Sequence, residues 1–341
     1  MNKNIYEYLN YYKDYSFDEV LFNIMDALLF SILIYLPLNN VKDEVLLKDL
    51  NKYFHKYDHG AMAPIALETY KIVCNSKRYK DLKITNIDKI NNDILQFGAF
   101  TIRDKENTYV AYEGTNASVS GWMENFMLSC KFPTNTQEYS AKYLNNTINK
   151  NDKNIYICGH SKGGNLAMSS AMMCIKSIFD KVRKIYNFDG PGFRKKEYSS
   201  KKFKEVNKKT VNILPEGSIV GVLLFNDNYT YVKAKGIGFK QHYPTNWNVF
   251  GQFFVKTNLI ITSKKFKESI DESLLKLKDQ DMLKILDEVN IFLKNNNIYE
   301  KGFNNINFND FKKMISDIDV DESTKKAFID IIKLMFNPKN K

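Results

Sequence analysis

Residues Gly159-His160-Ser161-Lys162-Gly163 spell G-x-S-x-G between two contrasting patterns. Before them, Asn154-Ile155-Tyr156-Ile157-Cys158 is an apolar run that reads as a strand. After them, Gly164 to Met173 is rich in small residues and reads as a helix. Strand, tight glycine turn and helix form the context in which this short motif holds a serine hydroxyl above a sheet edge. Gly159 and Gly163 flank a turn where a Cβ would meet backbone. The helix beginning there offers free N–H groups and partial positive charge to a developing oxyanion. The chemistry implied is acyl transfer through Ser161.

Such a serine needs a base that accepts its proton near neutral pH, and histidine suits that task. The chain has four. His55 and His59 lie far upstream, and His160 is the motif's variable position, directed elsewhere by its backbone. His242, downstream in Phe239-Lys240-Gln241-His242-Tyr243-Pro244, is left as the base. An oxyanion requires two N–H donors: one from Lys162, which follows the serine, the other from Thr115. The latter closes the strand Tyr109-Val110-Ala111-Tyr112 after Glu113-Gly114, and its hydroxyl is a further donor. The acid stays open. Asp189 ends the strand after the serine's own and has the rival role of capping the Gly190-Pro191-Gly192 turn. Glu216 in Pro215-Glu216-Gly217 is the alternative, Asp227 is a third candidate that also reads as a hairpin-turn residue, and a site without an acid is the remaining case.

These residues need a sheet to hold them. After a mostly helical first ninety residues, Leu95 to Ile102 and Tyr109 to Tyr112 read as a hairpin across Asp104-Lys105-Glu106-Asn107. Ser140 to Ile148 suits a helix, and further strands fall at Lys184 to Phe188, Thr210 to Leu214 and Tyr229 to Lys233. Strands alternating with helices imply an α/β sheet, largely parallel at its centre. Trp122 to Asn135, with Met123, Phe126, Met127, Leu128 and Phe132, is either an apolar lid or acyl groove or an amphipathic helix packed on the sheet. From about residue 264 apolar residues recur at helical spacing, with helices expected at Phe266 to Leu277, Leu283 to Leu293, Phe308 to Ile318 and Ser323 to Phe336. Residues 1–255 are therefore read as one domain with N-terminal helices, and 256–341 as a helical extension packed on or beside it. Asp317, Asp319 and Asp321 imitate the start of a calcium loop, but Glu322 and Phe328 stand where glycine and glutamate belong, so a helix-capping turn is expected.

Composition sets the class. The 341 residues are 44% hydrophobic, enough for one large core and an appendage. The apolar run Ala27 to Leu38 is too short to span a membrane and reads as a buried helix. No secretory leader is seen, and Cys74, Cys130, Cys158 and Cys174 lie far apart, as suits reduced thiols in a cytoplasm with no disulfide or zinc framework. The net charge of +11 is spread along the chain and does not indicate a nucleic-acid partner. Its densest stretch, Arg194 to Lys209, is a solvated helix face or a docking surface for an anionic membrane or substrate. No cofactor or metal is called for.

Taken together, the motifs resemble the class 3 lipases of the α/β-hydrolase fold, and more closely their bacterial relatives, the Mbeg-like lipase-related family. The likeness rests on Tyr112-Glu113-Gly114-Thr115 with Gly121-Trp122, Gly159 to Ala167, Phe188 to Phe193, Ser218-Ile219-Val220-Gly221 and Gln241-His242, in that order. It implies an α/β-hydrolase fold with Ser161 as nucleophile, His242 as base, and Thr115 and Lys162 as oxyanion donors. Two positions depart from the lipase pattern. Glu113 replaces the arginine of Phe-Arg-Gly-Thr, and Ser218 stands where the lipase acid segment Asp-x-Val-Pro begins. The leading expectation is a serine hydrolase cleaving a lipid or acyl ester. The rivals are a hydrolase fold kept as a binding or membrane-docking module, and a thioesterase or peptidase on the same residues.

Overall fold

A computed structural model describes residues 3–55, 60–92, 94–116, 118–276, 278–298, 307–326 and 328–329. Its centre is an eight-stranded sheet whose spatial order, β1 to β8, is the order in the chain. The strands are β1 (Val45–Leu46), β2 (Lys83–Asn91), β3 (Gln96–Arg103), β4 (Asn107–Tyr112), β5 (Asn154–His160), β6 (Val182–Phe188), β7 (Thr210–Pro215) and β8 (Tyr229–Val232). The first four pair antiparallel and β4 through β8 pair parallel. The hairpin of β3 and β4 and the four later strands lie where the residue patterns place them.

The parallel strands are covered on both faces, and alternate side chains divide between the two. On β4, Tyr109 and Ala111 join one core while Val110 and Tyr112 join the other. On β5, Cys158 faces the first core, and Ile155 and Ile157 the second. The first core is roofed by α1 (Ile5–Tyr12), α2 (Ile24–Leu33) and α3 (Met62–Val73). The second lies under α5 (Asn135–Thr147), α6 (Lys162–Met173) and α9 (Lys201–Asn207), with the short α7 (Lys176–Phe179) and α8 (Lys195–Tyr198) beside them. Within α2, the residues from Met25 to Leu33 are all buried, as expected of a helix apolar around its whole circumference. It starts in a capping box in which the Asn23 side chain and Asp26 satisfy the free N–H groups of the first turn. Asp26 also accepts from Tyr8, Tyr79 and Arg78, the last through Nε at 2.9 Å and Nη2 at 2.6 Å, tying α1, α2 and the segment after α3 together. Among the described residues no helix is long and apolar enough to cross a membrane.

The first ninety residues are less helical than their pattern suggests, because β2 falls among them. Its isoleucines, Ile84, Ile87 and Ile90, are spaced by three and imitate a helix face. The cause is a bulge between Thr85 and Asp88, where Asn86 takes φ +52°. The extra residue moves the side-chain alternation out of step.

Towards the C-terminus come α10 (Phe239–His242), the small hairpin of β9 (Val249–Phe250) and β10 (Phe253–Phe254), then α11 (Ile261–Lys276), α12 (Asp279–Asn295) and α13 (Phe308–Asp317). Residues 322–326 and 328–329 are also helical, and the remainder of the stretch from Ser323 to Phe336 lies outside the described residues. Asp321 caps that helix, with Oδ1 accepting from Thr324 N at 2.9 Å. The segment after β4 forms α4 (Val119–Met127). Met123 and Phe126 of α4 pack against Met282, Ile285 and Val289 of α12, so its apolar side meets the C-terminal helices more than the sheet.

Candidate active site

Ser161 sits between β5 and α6 with φ +59° and ψ −135°, a region that residues with a Cβ rarely enter. Strain of this kind persists only where the surroundings impose it. Ser161 N donates to Phe188 O at 2.9 Å, and its carbonyl accepts from Gly164 N at 2.9 Å. The glycines allow the crossing. A Cβ on Gly159 would stand 2.1 Å from Gly163 O, and one on Gly163 would stand 2.2 Å from Tyr112 O.

One strand over, Asp189 leaves β6 with φ +51° and is fully buried. Oδ2 lies 2.7 Å from His242 Nδ1, while Oδ1 accepts from Ser218 Oγ at 2.5 Å and Gly221 N at 3.1 Å. A carboxylate on Nδ1 keeps the ring proton there and leaves Nε2 as the basic nitrogen. His242 closes the short α10, whose Gln241 is clamped by Gly217 N at 2.6 Å and by Trp247 Nε1 on its carbonyl at 2.6 Å. The turn after β6 is capped by another residue: Asn187 Oδ1 accepts from Gly190 N at 3.0 Å. That frees the Asp189 carboxylate from the turn-capping role.

The other acids are placed elsewhere. Glu216 accepts from Ala234 N and from Thr257 Oγ1, and so holds β8 and the chain leading to α11. Asp227 accepts from Tyr198 OH and Asn207 Nδ2, binding the β7–β8 connection to α8 and α9. It is not a hairpin-turn residue, because β7 and β8 run parallel. Ser218, at the position matched to the lipase acid, donates to the carboxylate that faces His242.

His160 is buried beneath this group. Its Nε2 donates to His242 O at 2.8 Å, and Tyr35 OH lies 3.3 Å from Nδ1. Burial, with His242 close by, holds its pKa well below the usual histidine value, so it is neutral. His55 sits before α3, with its N–H on Pro37 O, and His59 lies outside the described residues. Thr115 and Lys162 line, with Ser161 and His242, one pocket of about 340 Å³. The Thr115 hydroxyl is engaged, donating to Asn125 Oδ1 at 3.0 Å, which leaves its backbone as the available donor. The pocket walls are mostly apolar: Ile219, Val220 and Leu223 from the loop after β7, and Phe126 and Leu128 at the end of α4. Phe266 and Ile270 of α11 and Met282 of α12 complete them. Pairing Arg194 Nη1 with Asp279 Oδ2 at 2.7 Å, and with Cys130 O at 2.7 Å, joins the start of α12 and the turn after α4 to α8.

Three residues around the site have no motif to announce them. Gln96 at the start of β3 accepts from Lys162 Nζ at 2.6 Å, Lys89 of β2 pairs with Glu113 at 2.9 Å, and Glu124 of α4 is buried nearby. The only advance signal is Glu113, a carboxylate in an apolar turn that requires a cation.

The architecture is that of the α/β-hydrolase fold: a mostly parallel sheet, helices on both faces, and a serine on the turn from strand to helix. It is a hydrolase-type scaffold. No curated protein matches the chain. Among solved structures, the crystal structure of M37 lipase is similar with a TM-score of 0.36 and 16% identity, covering 57% of this chain and 67% of that one. Residues 73–291, from before β2 into α12, match the family model described as Mbeg1-like, and since this stretch holds most of the 341 residues, the chain belongs to the Mbeg1-like family.

Proposed function

We propose that the protein is a serine hydrolase that cleaves carboxylic esters of apolar acyl groups through an acyl-enzyme. The observation that carries the reading is the buried Asp189 carboxylate 2.7 Å from Nδ1 of His242, a histidine that lines the same pocket as a serine held at positive φ. In this reading His242 Nε2 takes the Ser161 proton as Oγ attacks the ester carbonyl. The oxyanion is held by the N–H groups of Lys162 and Thr115. Collapse of the tetrahedral intermediate expels the alcohol, which takes the proton back from His242, and leaves the acyl group on Ser161. Water, deprotonated by the same nitrogen, releases the acid. Asp189 orients the ring and stabilises the imidazolium, and Ser218 with Gly221 holds Asp189.

The largely apolar walls favour a hydrocarbon acyl group over a peptide. Hydrolysis of p-nitrophenyl esters of graded chain length, beside Ser161→Ala, tests the proposal. Turnover and fluorophosphonate labelling are expected for the wild type, both falling to background in the variant. A wild type inert to both reagents would make the scaffold a binding module.

A further inference from the structure

A second buried polar group stands directly behind Thr115 and Lys162. Gln96 is fully buried at the start of β3. Its Nε2 donates to Gly114 O at 3.1 Å. Its Oε1 accepts from Lys162 Nζ at 2.6 Å, and its backbone carbonyl accepts from the same ammonium at 3.0 Å. A trans peptide is planar, with C=O and N–H pointing in opposite directions. Holding the Gly114 carbonyl on Gln96 therefore turns the Thr115 N–H away from Gln96, and Thr115 is among the residues that line the pocket. Lys162 opens α6, so its N–H is among those a helix start leaves free. One amide side chain thus ties the loop bearing one donor to the residue bearing the other.

Charge is gathered at the same place. The Lys162 ammonium is buried, with the carboxylates of Glu124 and Glu113 acting on it. Glu113 is itself paired with Lys89 at 2.9 Å. Two cations from β2 and α6 thus face two anions from the exit of β4 and from α4. The reversal of charge at Glu113, relative to the lipase turn, is met by lysines on other elements.

Resting on the ester-hydrolase reading above, we propose that Gln96 and the Lys162 side chain are positioning residues that set the spacing and aim of the two oxyanion donors, with the ammonium supplying positive potential behind the developing charge. Burial lowers the Lys162 pKa to about 8, against the pull of Glu124 and Glu113. Above that pH the amine still donates to Gln96, but the positive potential is lost. Turnover therefore declines as pH rises through about 8.

The test compares Gln96→Met, Gln96→Glu and Lys162→Met with the wild type on one p-nitrophenyl ester, each variant first shown to be folded by its thermal transition. Gln96→Met and Lys162→Met are expected to lower kcat by roughly 10- to 100-fold, below the effect of deleting a donor outright, with KM changed little. Lys162→Met should also abolish the alkaline decline. Gln96→Glu loses the donor to Gly114 and sets a carboxylate against the Lys162 ammonium, so it should lower kcat at least as far as Gln96→Met and move the alkaline decline to higher pH. Folded variants with wild-type kcat and an unchanged pH profile would overturn the inference. A readout without ester keeps this judgement separate from that on hydrolysis: the amide 15N and 1H resonances of Thr115 and Lys162 should both move in Gln96→Met. If the wild type proves inert to esters, those resonances alone decide, and a stationary Thr115 rejects the strut.

Discussion

At the scale of single residues, His242 faces a carboxylate held from two directions. Asp189 comes from the end of β6, and the loop after β7 supplies Ser218 and Gly221 as donors to it. Asp189→Asn is expected to lower kcat on a p-nitrophenyl ester by about 10³- to 10⁴-fold without unfolding the protein, because the amide favours the wrong ring tautomer. Glu216→Gln should leave kcat within about twofold, since Glu216 touches β8 and Thr257 rather than His242. That Ser161, His242, Thr115 and Lys162 belong to one place was legible from motif and elimination, and the four do line one pocket. Asp189 stayed one of several acids because its selection depends on Asn187 taking the turn cap and on Ser218 reaching across from another loop, neither of which spacing encodes. Lys162 carries a second consequence, for stability. Its pKa is lowered in the folded state from 10.5 to about 8, so between these values the unfolded chain binds more protons, and stability contributed by this group rises with pH. Urea titrations at pH 7.5, 9 and 10 should show the increase in the wild type exceeding that in Lys162→Met.

Among the elements, the helices beyond β10 have the least expected place. Read along the chain they form an appendage, yet Phe266, Ile270 and Met282 stand in the wall of the pocket that holds Ser161. Met282→Ala should admit longer acyl chains, with each methylene newly accommodated worth about 0.8 kcal/mol, or roughly fourfold in kcat/KM. Ile270→Trp should move the optimum to shorter ones. A panel of p-nitrophenyl esters reads both, and an unchanged profile in both variants would remove α11 and α12 from the acyl site. The helical periodicity of this stretch was plain, but its partner was hidden, because an apolar stripe states that something covers it without stating what. The same limit applied to α4, whose apolar side chains suited a lid or acyl groove as well as a sheet-packed helix: Met123 and Phe126 meet α12, and Phe126 with Leu128 also lines the pocket. With β2 the failure was of another kind: a single bulged residue converted the period of two into a spacing of three.

For the molecule as a whole, stability depends on a charge with no access to water. Arg78 and Asp26 are both fully buried in side chain and 2.6 Å apart, with two tyrosine hydroxyls on the same carboxylate. Asp26→Asn leaves the guanidinium without its counter-charge and is expected to cost about 3–5 kcal/mol in urea unfolding. The sheet carries a different implication, one for synthesis. Its spatial order repeats the chain order from β1 to β8, so the neighbour of each strand has already been synthesised when that strand is made. When Ser161 is made, β4 and β5 precede it; when Asp189 is made, β6 has been added beside β5. The pocket wall from α11 and α12 is made after every strand of the sheet. Synthesis therefore completes every strand of the sheet around Ser161 before the residues of α11 and α12 that wall its cavity, and a chain ending before α11 would carry the serine and its sheet without Phe266, Ile270 and Met282.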